Sequence, residues 1–118
     1  MLNELYKQAD YKDKAGMMFD ADCLDVIAKK QGAKTFNAHC KNTVFHYTNG
    51  RSKLHPTEKN HALLEDLIKD NTNEGQIVFD PCCGSGSHCF VAKSLGRKYI
   101  GVELDRNYFD VAVKRLGG

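Results

Sequence analysis

Residues 78–105 read VFDPCCGSGSHCFVAKSLGRKYIGVELD. A short apolar run, Ile77-Val78-Phe79, ends at Asp80, and the small residues Gly84, Ser85, Gly86 and Ser87 follow. A helix-like stretch runs to Leu95. A second apolar run, Tyr99 to Val102, ends at Glu103. The pattern predicts a strand, a glycine turn, a helix and a second strand with an acid at its tip. Those parts suit a ligand with an adenosine end and a charged tail. Glycines let backbone approach a ligand closely. A helix start presents N–H groups that lack intrahelical partners. A carboxylate accepts hydrogen bonds from both hydroxyls of a ribose.

Outward from this stretch the signals are weaker. The apolar run at 76–80 does not alternate, as expected of a strand covered on both faces. Gly96 marks the stop of a helix over 85–95. The next strand is expected over 98–104. Asp105 is placed to cap a last helix over 106–116, with Tyr108, Ala112 and Leu116 along one side. Upstream, 61–69 reads as an amphipathic helix capped by Asn60. Leu63, Leu64, Leu67 and Ile68 share one face, and Glu65, Asp66 and Lys69 face away. Residues 43–48 (TVFHYT) read as a strand and 21–30 (ADCLDVIAKK) as a short helix. The first ~25 residues carry no clear period of either kind. Strand–helix alternation predicts an α/β fold with a short parallel sheet. The expected division is an N-terminal segment, 1–45, and a ligand-binding domain, 46–118.

Composition fits one small globular domain: 118 residues, 42% hydrophobic and 27% charged. No apolar run approaches the ~20 residues of a membrane span. The polar start, MLNELYKQADYKDK, is not a signal peptide, so a cytoplasmic protein with no membrane association is expected. Five cysteines without a secretory signal read as reduced thiols. Cys82 and Cys83 are adjacent and there is no CxxC pair, so no metal site is expected. Charge is uneven. Residues 29–59 hold seven basic side chains (Lys29, Lys30, Lys34, Lys41, Arg51, Lys53, Lys59) against Glu58 alone, whereas 60–118 carries −1. Such a stretch is either a solvated surface or a contact for an anionic partner, DNA above all.

Several readings compete for the turn. A Walker loop needs a lysine after its glycine, and Gly86 is followed by Ser87 and His88. A dinucleotide turn needs GxGxxG, and the third glycine is absent. S-adenosylmethionine carries an amino acid in place of a pyrophosphate, and Asp80 stands where its ammonium would be met. A plain tight turn with an incidental glycine pair is the bland alternative.

The same residues resemble a known family. Asp80-Pro81, Gly84-Ser85-Gly86, Ala92, Leu95-Gly96-Arg97, Ile100-Gly101, Glu103, Tyr108, Ala112 and Arg115 match the S-adenosylmethionine motif of the DNA N6-adenine and N4-cytosine methyltransferases. His55-Pro56-Thr57-Glu58-Lys59 resembles their HPTxKP motif, about twenty residues upstream. This order is that of the permuted beta class, and the likeness spans 45–116. It implies the C-terminal, cofactor-holding part of such an enzyme, with a truncated class I (Rossmann-like) three-layer sandwich. By this resemblance Asp80, Pro81, Cys82 and the Gly84, Ser85 and Gly86 backbone face the methionine moiety. Glu103 takes the ribose, and Thr57 and Lys59 lie near the methionine carboxylate. Lys29, Lys30, Lys34, Lys41, Arg51 and Lys53 become candidate DNA contacts. Arg97 reads as structural, Tyr108 as core, and Cys82 and Cys83 as small buried residues.

The chain departs from the family at Cys82 (phenylalanine there), at Ser87 and His88 (paired threonines) and at Asn60 (proline). A [DNS]PP[YFW] acceptor loop is missing, since the only prolines are Pro56 and Pro81. The expected function is therefore the cofactor half of a bacterial or phage restriction-modification type methyltransferase, with no catalytic residue of its own. The alternative is a non-catalytic remnant that binds DNA or S-adenosylmethionine. Without the acceptor-loop strand, Gln76, Ile77, Val78, Phe79 and Asp80 form an open sheet edge. A second subunit, a homo-oligomer or the rearranged N-terminal residues are expected to cover it.

Overall fold

The structure, a computed structural model, describes residues 6–21 and 60–118. The chain forms strands β1 (Tyr11–Lys12) and β2 (Gly16–Asp20), helix α1 (His61–Asn71), strand β3 (Ile77–Asp80), helix α2 (Ser87–Ser94), strand β4 (Lys98–Glu103) and helix α3 (Arg106–Leu116). The sheet runs β1-β2-β4-β3. β2 and β3 lie parallel to β4 on its two sides, with Met17 opposite Ile100 and Val78 opposite Tyr99. β1 closes one edge as a short antiparallel partner of β2. The α/β class and the parallel sheet are as the sequence implies.

Side chains alternate across a strand, so each run serves two faces. Met18, Val78 and Tyr99 meet α1, α2 and α3, through Leu64 and Ile68 of α1, Val91 and Ala92 of α2, and Phe109, Ala112 and Leu116 of α3. Met17, Phe19, Ile100 and Val102 form a second apolar cluster on the other face. Burial of each large aliphatic or aromatic side chain contributes roughly 1.5–3 kcal/mol. The central strand β4 is therefore apolar throughout its middle, as a strand covered on both sides must be.

The helix ends follow from local chemistry. Asn60 Oδ1 accepts from the Ala62 and Leu63 amides at 2.9 and 3.3 Å, and Asp105 Oδ1 accepts from Asn107 and Tyr108 at 2.8 and 3.2 Å. Each satisfies amide groups that a helix start leaves unpaired. Arg97 ties two helix ends together. Its guanidinium donates to Leu95 O at 2.7 Å, just past α2, and to Thr72 O at 2.8 Å, just past α1.

Several expectations are corrected here. α1 runs two residues further than expected, and Leu67 on it is exposed, because only Leu64 and Ile68 reach the core. β3 starts at Ile77, and Phe79 is 40% exposed, so its second face is not covered as the unbroken apolar run suggested. α2 begins at Ser87, because Gly84 and Gly86 adopt positive φ and hold the turn out of the helix. Leu104 lies beyond β4 and is exposed. Phe109, not Tyr108, takes the core position on α3, and Tyr108 is half-buried. Cys82 is exposed while Cys83 is buried, because Cys83 turns inward beneath the bend.

The unpatterned N-terminus supplies two strands of the same sheet. It adds to β4's free side, not to β3's. β3 remains the outermost strand on its side among the described residues. Asp13 fixes the attachment. It accepts from the Ala15 and Gly16 amides (2.8 and 2.9 Å), from Lys93 Nζ (2.8 Å) and from the hydroxyl of fully buried Tyr99 (2.8 Å). Burial pushes the Asp13 carboxyl up, but the hydrogen bonds from Lys93, Tyr99, Ala15 and Gly16 outweigh it and hold it below the usual range. Burial, followed by the bond to Asp13, raises the Tyr99 phenol well above its ordinary value. The helix expected over 21–30, with only Ala21 described, and the strand over 43–48 lie outside the described residues.

Candidate functional site

Asp80 ends β3 and lies opposite Gly101 of β4, two positions before Glu103. Alternation puts both acids on the helix-bearing face, at the C-terminal ends of neighbouring parallel strands. The glycine turn spans the gap between them. Glu103 Oε2 accepts from the Gly84 amide at 2.7 Å, and its Oε1 accepts from the Asp105 amide at 3.1 Å. Asp80 Oδ1 accepts from the Cys82 amide at 3.0 Å. The two carboxylates thus hold the two ends of one bend. Both keep acceptor capacity, since a carboxylate offers about four lone-pair sites.

The bend has this shape for steric reasons. At Gly86, with φ +80°, a β-carbon would come within 2.8 Å of Ala112 Cβ, so glycine allows α2 to lie close on α3. A side chain at Gly101 would run into Met18 and Cys89, which lets β4 pass close beneath the turn. Cys83 and Cys89 pair under it. The bond to Cys83, then burial, lifts the Cys89 thiol well above its ordinary value, which keeps it an inert filler. Arg115 of α3 donates to Ser87 Oγ at 2.8 Å and steadies the start of α2. Pro81 and Cys82 lie exposed on the rim, and Ser85 is buried.

Two participants were not foreseen. His88 Nδ1 donates to Asp80 Oδ2 at 2.7 Å. Asp20 ends β2 opposite Glu103, placing a third acid on the same row of strand tips, and pairs with Arg106 at 3.1 Å. Of the expected site residues, Asp80, Pro81, Cys82, Gly84, Ser85, Gly86 and Glu103 converge on the bend. Thr57, Lys59, Lys29, Lys30, Lys34, Lys41, Arg51 and Lys53 lie outside the described residues. A cavity of about 250 Å³ opens at the opposite end of the sheet, beside Asp13, Gly16, Ile77 and Lys98, and does not touch the bend.

Acids on adjoining strand tips, a glycine turn between them and a helix start facing the gap define a class I methyltransferase-type fold. Comparison with known proteins agrees. The model of the N6/N4 DNA methylase family matches residues 2–114. The chain belongs to this family. It is 46% identical over 71 residues to the type II methyltransferase M.HpaI of Haemophilus parainfluenzae, covering 60% of this chain and 23% of that protein. It is 47% identical over 62 residues to M2.DpnII of Streptococcus pneumoniae, covering 52% of this chain and 23% of that protein. The crystal structure of the M1.HpyAVI–SAM complex superposes with a TM-score of 0.63 at 36% identity, covering 76% of this chain and 47% of that one. The chain thus spans about a quarter of the length of these curated relatives. No helix among the described residues is long and apolar enough to cross a membrane.

Proposed function

We propose that this chain is the S-adenosylmethionine-holding part of a DNA methyltransferase that acts on adenine N6 or cytosine N4. The observation that carries the reading is the pair Asp80 and Glu103, set on one sheet face around a single glycine bend. The donor set fits the cofactor. Glu103 is already oriented by two backbone amides and has acceptor capacity left for two ribose hydroxyls. Asp80 receives the ammonium, and the backbone of Gly84 and Gly86 allows close approach. Thr57 and Lys59 are assigned to the methionine carboxylate. When bound, the cofactor supplies a methyl group on an electrophilic sulfonium. The chain's own residues bind and orient it, and positioning of this kind is a large part of group-transfer catalysis.

The acceptor half is assigned to residues beyond these 118, in the same chain or in another. With two prolines the chain holds no proline-pair loop for a flipped base. β3 is the outermost strand on its side among the described residues and carries half-exposed Phe79. A second subunit that adds a strand there and brings the acceptor loop would complete the enzyme. Lys29, Lys30, Lys34, Lys41, Arg51 and Lys53 are assigned to DNA phosphates, and the chain to the cytoplasm. The second reading is a non-catalytic relative that binds cofactor or DNA.

Calorimetry with S-adenosylhomocysteine tests the pocket. Measurable binding that Glu103→Ala removes supports it, and no binding by the intact chain refutes it. Methyl incorporation into DNA, by the chain alone and with a partner carrying the loop, separates enzyme from binder. DNA binding that weakens with salt and with Lys→Glu changes in 29–59 supports the basic contacts. A chain that stays monomeric and binds no such partner refutes the edge assignment.

A further inference from the structure

The contact between His88 and Asp80 is the part of the site that neither the bend nor the cofactor reading requires. His88 is the second residue of α2, and its side chain is 37% exposed against 15% for Asp80. The imidazole is thus the more open member of the pair, and at Oδ2 it takes an acceptor position that a ligand's ammonium would also use. Cys82 holds the other oxygen. An imidazole is the one ordinary side chain whose charge changes between about pH 5 and 8. With His88 neutral, Asp80 keeps a full negative charge and spare lone pairs for an ammonium. With His88 protonated, the pair is neutral overall and presents a like charge to the same ammonium.

We infer that His88 sets the affinity of this site for the amino-acid end of its ligand, by competing for Asp80 when it is protonated. The inference rests on the assignment of Asp80 to the ammonium. The ionisable groups on the surrounding elements act differently. The Cys89 thiol, bonded to Cys83 and buried, stays neutral over this range. Glu103 stands at the other end of the bend, held by two amides. Arg115 bonds Ser87 and carries a constant charge. His61, at the start of α1, lies tilted beside Phe90 at 5.9 Å and is the other histidine among the described residues, so it needs its own control.

The test is calorimetry on the full chain at about pH 6 and about pH 8, with two ligands. S-adenosylhomocysteine carries the ammonium, and 5′-methylthioadenosine lacks it. The intact chain is expected to bind S-adenosylhomocysteine about fivefold tighter at the higher pH, the scale of one charge across a partly solvated contact. His88→Asn, which keeps an amide donor and cannot ionise, should bind equally at both, as should His88→Thr. His61→Asn should keep the difference, and methylthioadenosine should show none in any variant. A flat response in the intact chain, an unchanged response in both His88 variants, or an equal response with methylthioadenosine overturns the inference. If methylthioadenosine binds and S-adenosylhomocysteine gains nothing from its ammonium, the assignment of Asp80 fails. If neither ligand binds, the cofactor reading fails and this inference with it.

Discussion

The two ends of the sheet use the same functional group to opposite purpose. At the β1–β2 hairpin, Asp13 is surrounded by four close donors, two from the adjoining Ala15 and Gly16 amides and two from distant Lys93 and Tyr99, with Tyr11 a looser fifth at 3.4 Å. At the strand tips, Glu103 and Asp80 each take two donors among the described residues, the backbone amides of Gly84, Asp105 and Cys82 and the His88 ring. A saturated carboxylate fastens a structure, because every lone pair is used and removing it strands its partners. A half-satisfied, well-oriented one is prepared for something else to complete it. The contrast separates residues that make the fold from residues that the fold presents.

The sharpest way to break this contrast is Asp13→Ala. It orphans the hydroxyl of buried Tyr99 and leaves the Lys93 ammonium only the Leu116 carbonyl, and should lower unfolding free energy by about 3 kcal/mol in urea titrations. A cost under about 1 kcal/mol would mean the hairpin is not fastened there. Glu103→Ala should do the reverse, weakening S-adenosylhomocysteine about 100-fold, or about 2.7 kcal/mol, with stability almost unchanged. Comparable loss of stability in both variants would erase the distinction. Asp105→Ala is intermediate. It removes the cap of α3 beside Glu103 and should cost about 1 kcal/mol of stability with only a modest loss of binding.

The smallest effect is on pH. Asp13 has a depressed folded-state pKa, so its contribution is complete above the ordinary aspartate range and is lost as pH falls through the lower folded value. The raised Tyr99 phenol acts on the other flank: its contribution is complete below the ordinary tyrosine range and fades as pH rises beyond it. Melting temperatures should therefore decline below about pH 4 and above about pH 10. Asp13→Asn should flatten the acid limb; an unchanged limb would assign it to other carboxylates.

What the sequence made legible was local. The bend, its two strands and the caps Asn60 and Asp105 depend on neighbours a few residues away, and lie within a residue of where pattern puts them. Residues that failed did so because their surroundings come from far along the chain. Gly16–Asp20 is buried by a strand some eighty positions later, so its run shows no alternation to read. A cue was nevertheless present: Met18-Phe19-Asp20 repeats the apolar–Phe–Asp ending of Val78-Phe79-Asp80. Asp13 sits in a mixed-charge stretch and becomes central only through Lys93 and Tyr99. The apolar runs predict cover for Phe79 and Leu67, yet both are exposed, because a run does not say which neighbour is missing. His88 departs from the family motif, and a sequence does not show that its ring reaches Asp80.

The pairing of β2 with β4 has a further consequence for how the molecule is made. Met17 is synthesised early, yet its partner Ile100 leaves the ribosome more than eighty residues later. Contacts of such separation form slowly, because a long loop must close before any gain is felt. Until then Met17, Met18 and Phe19 travel uncovered on the nascent chain, a ready target for chaperones or for self-association. Slow translation across residues 98–103 would lengthen that exposure and reduce the yield of soluble protein without changing a single native contact.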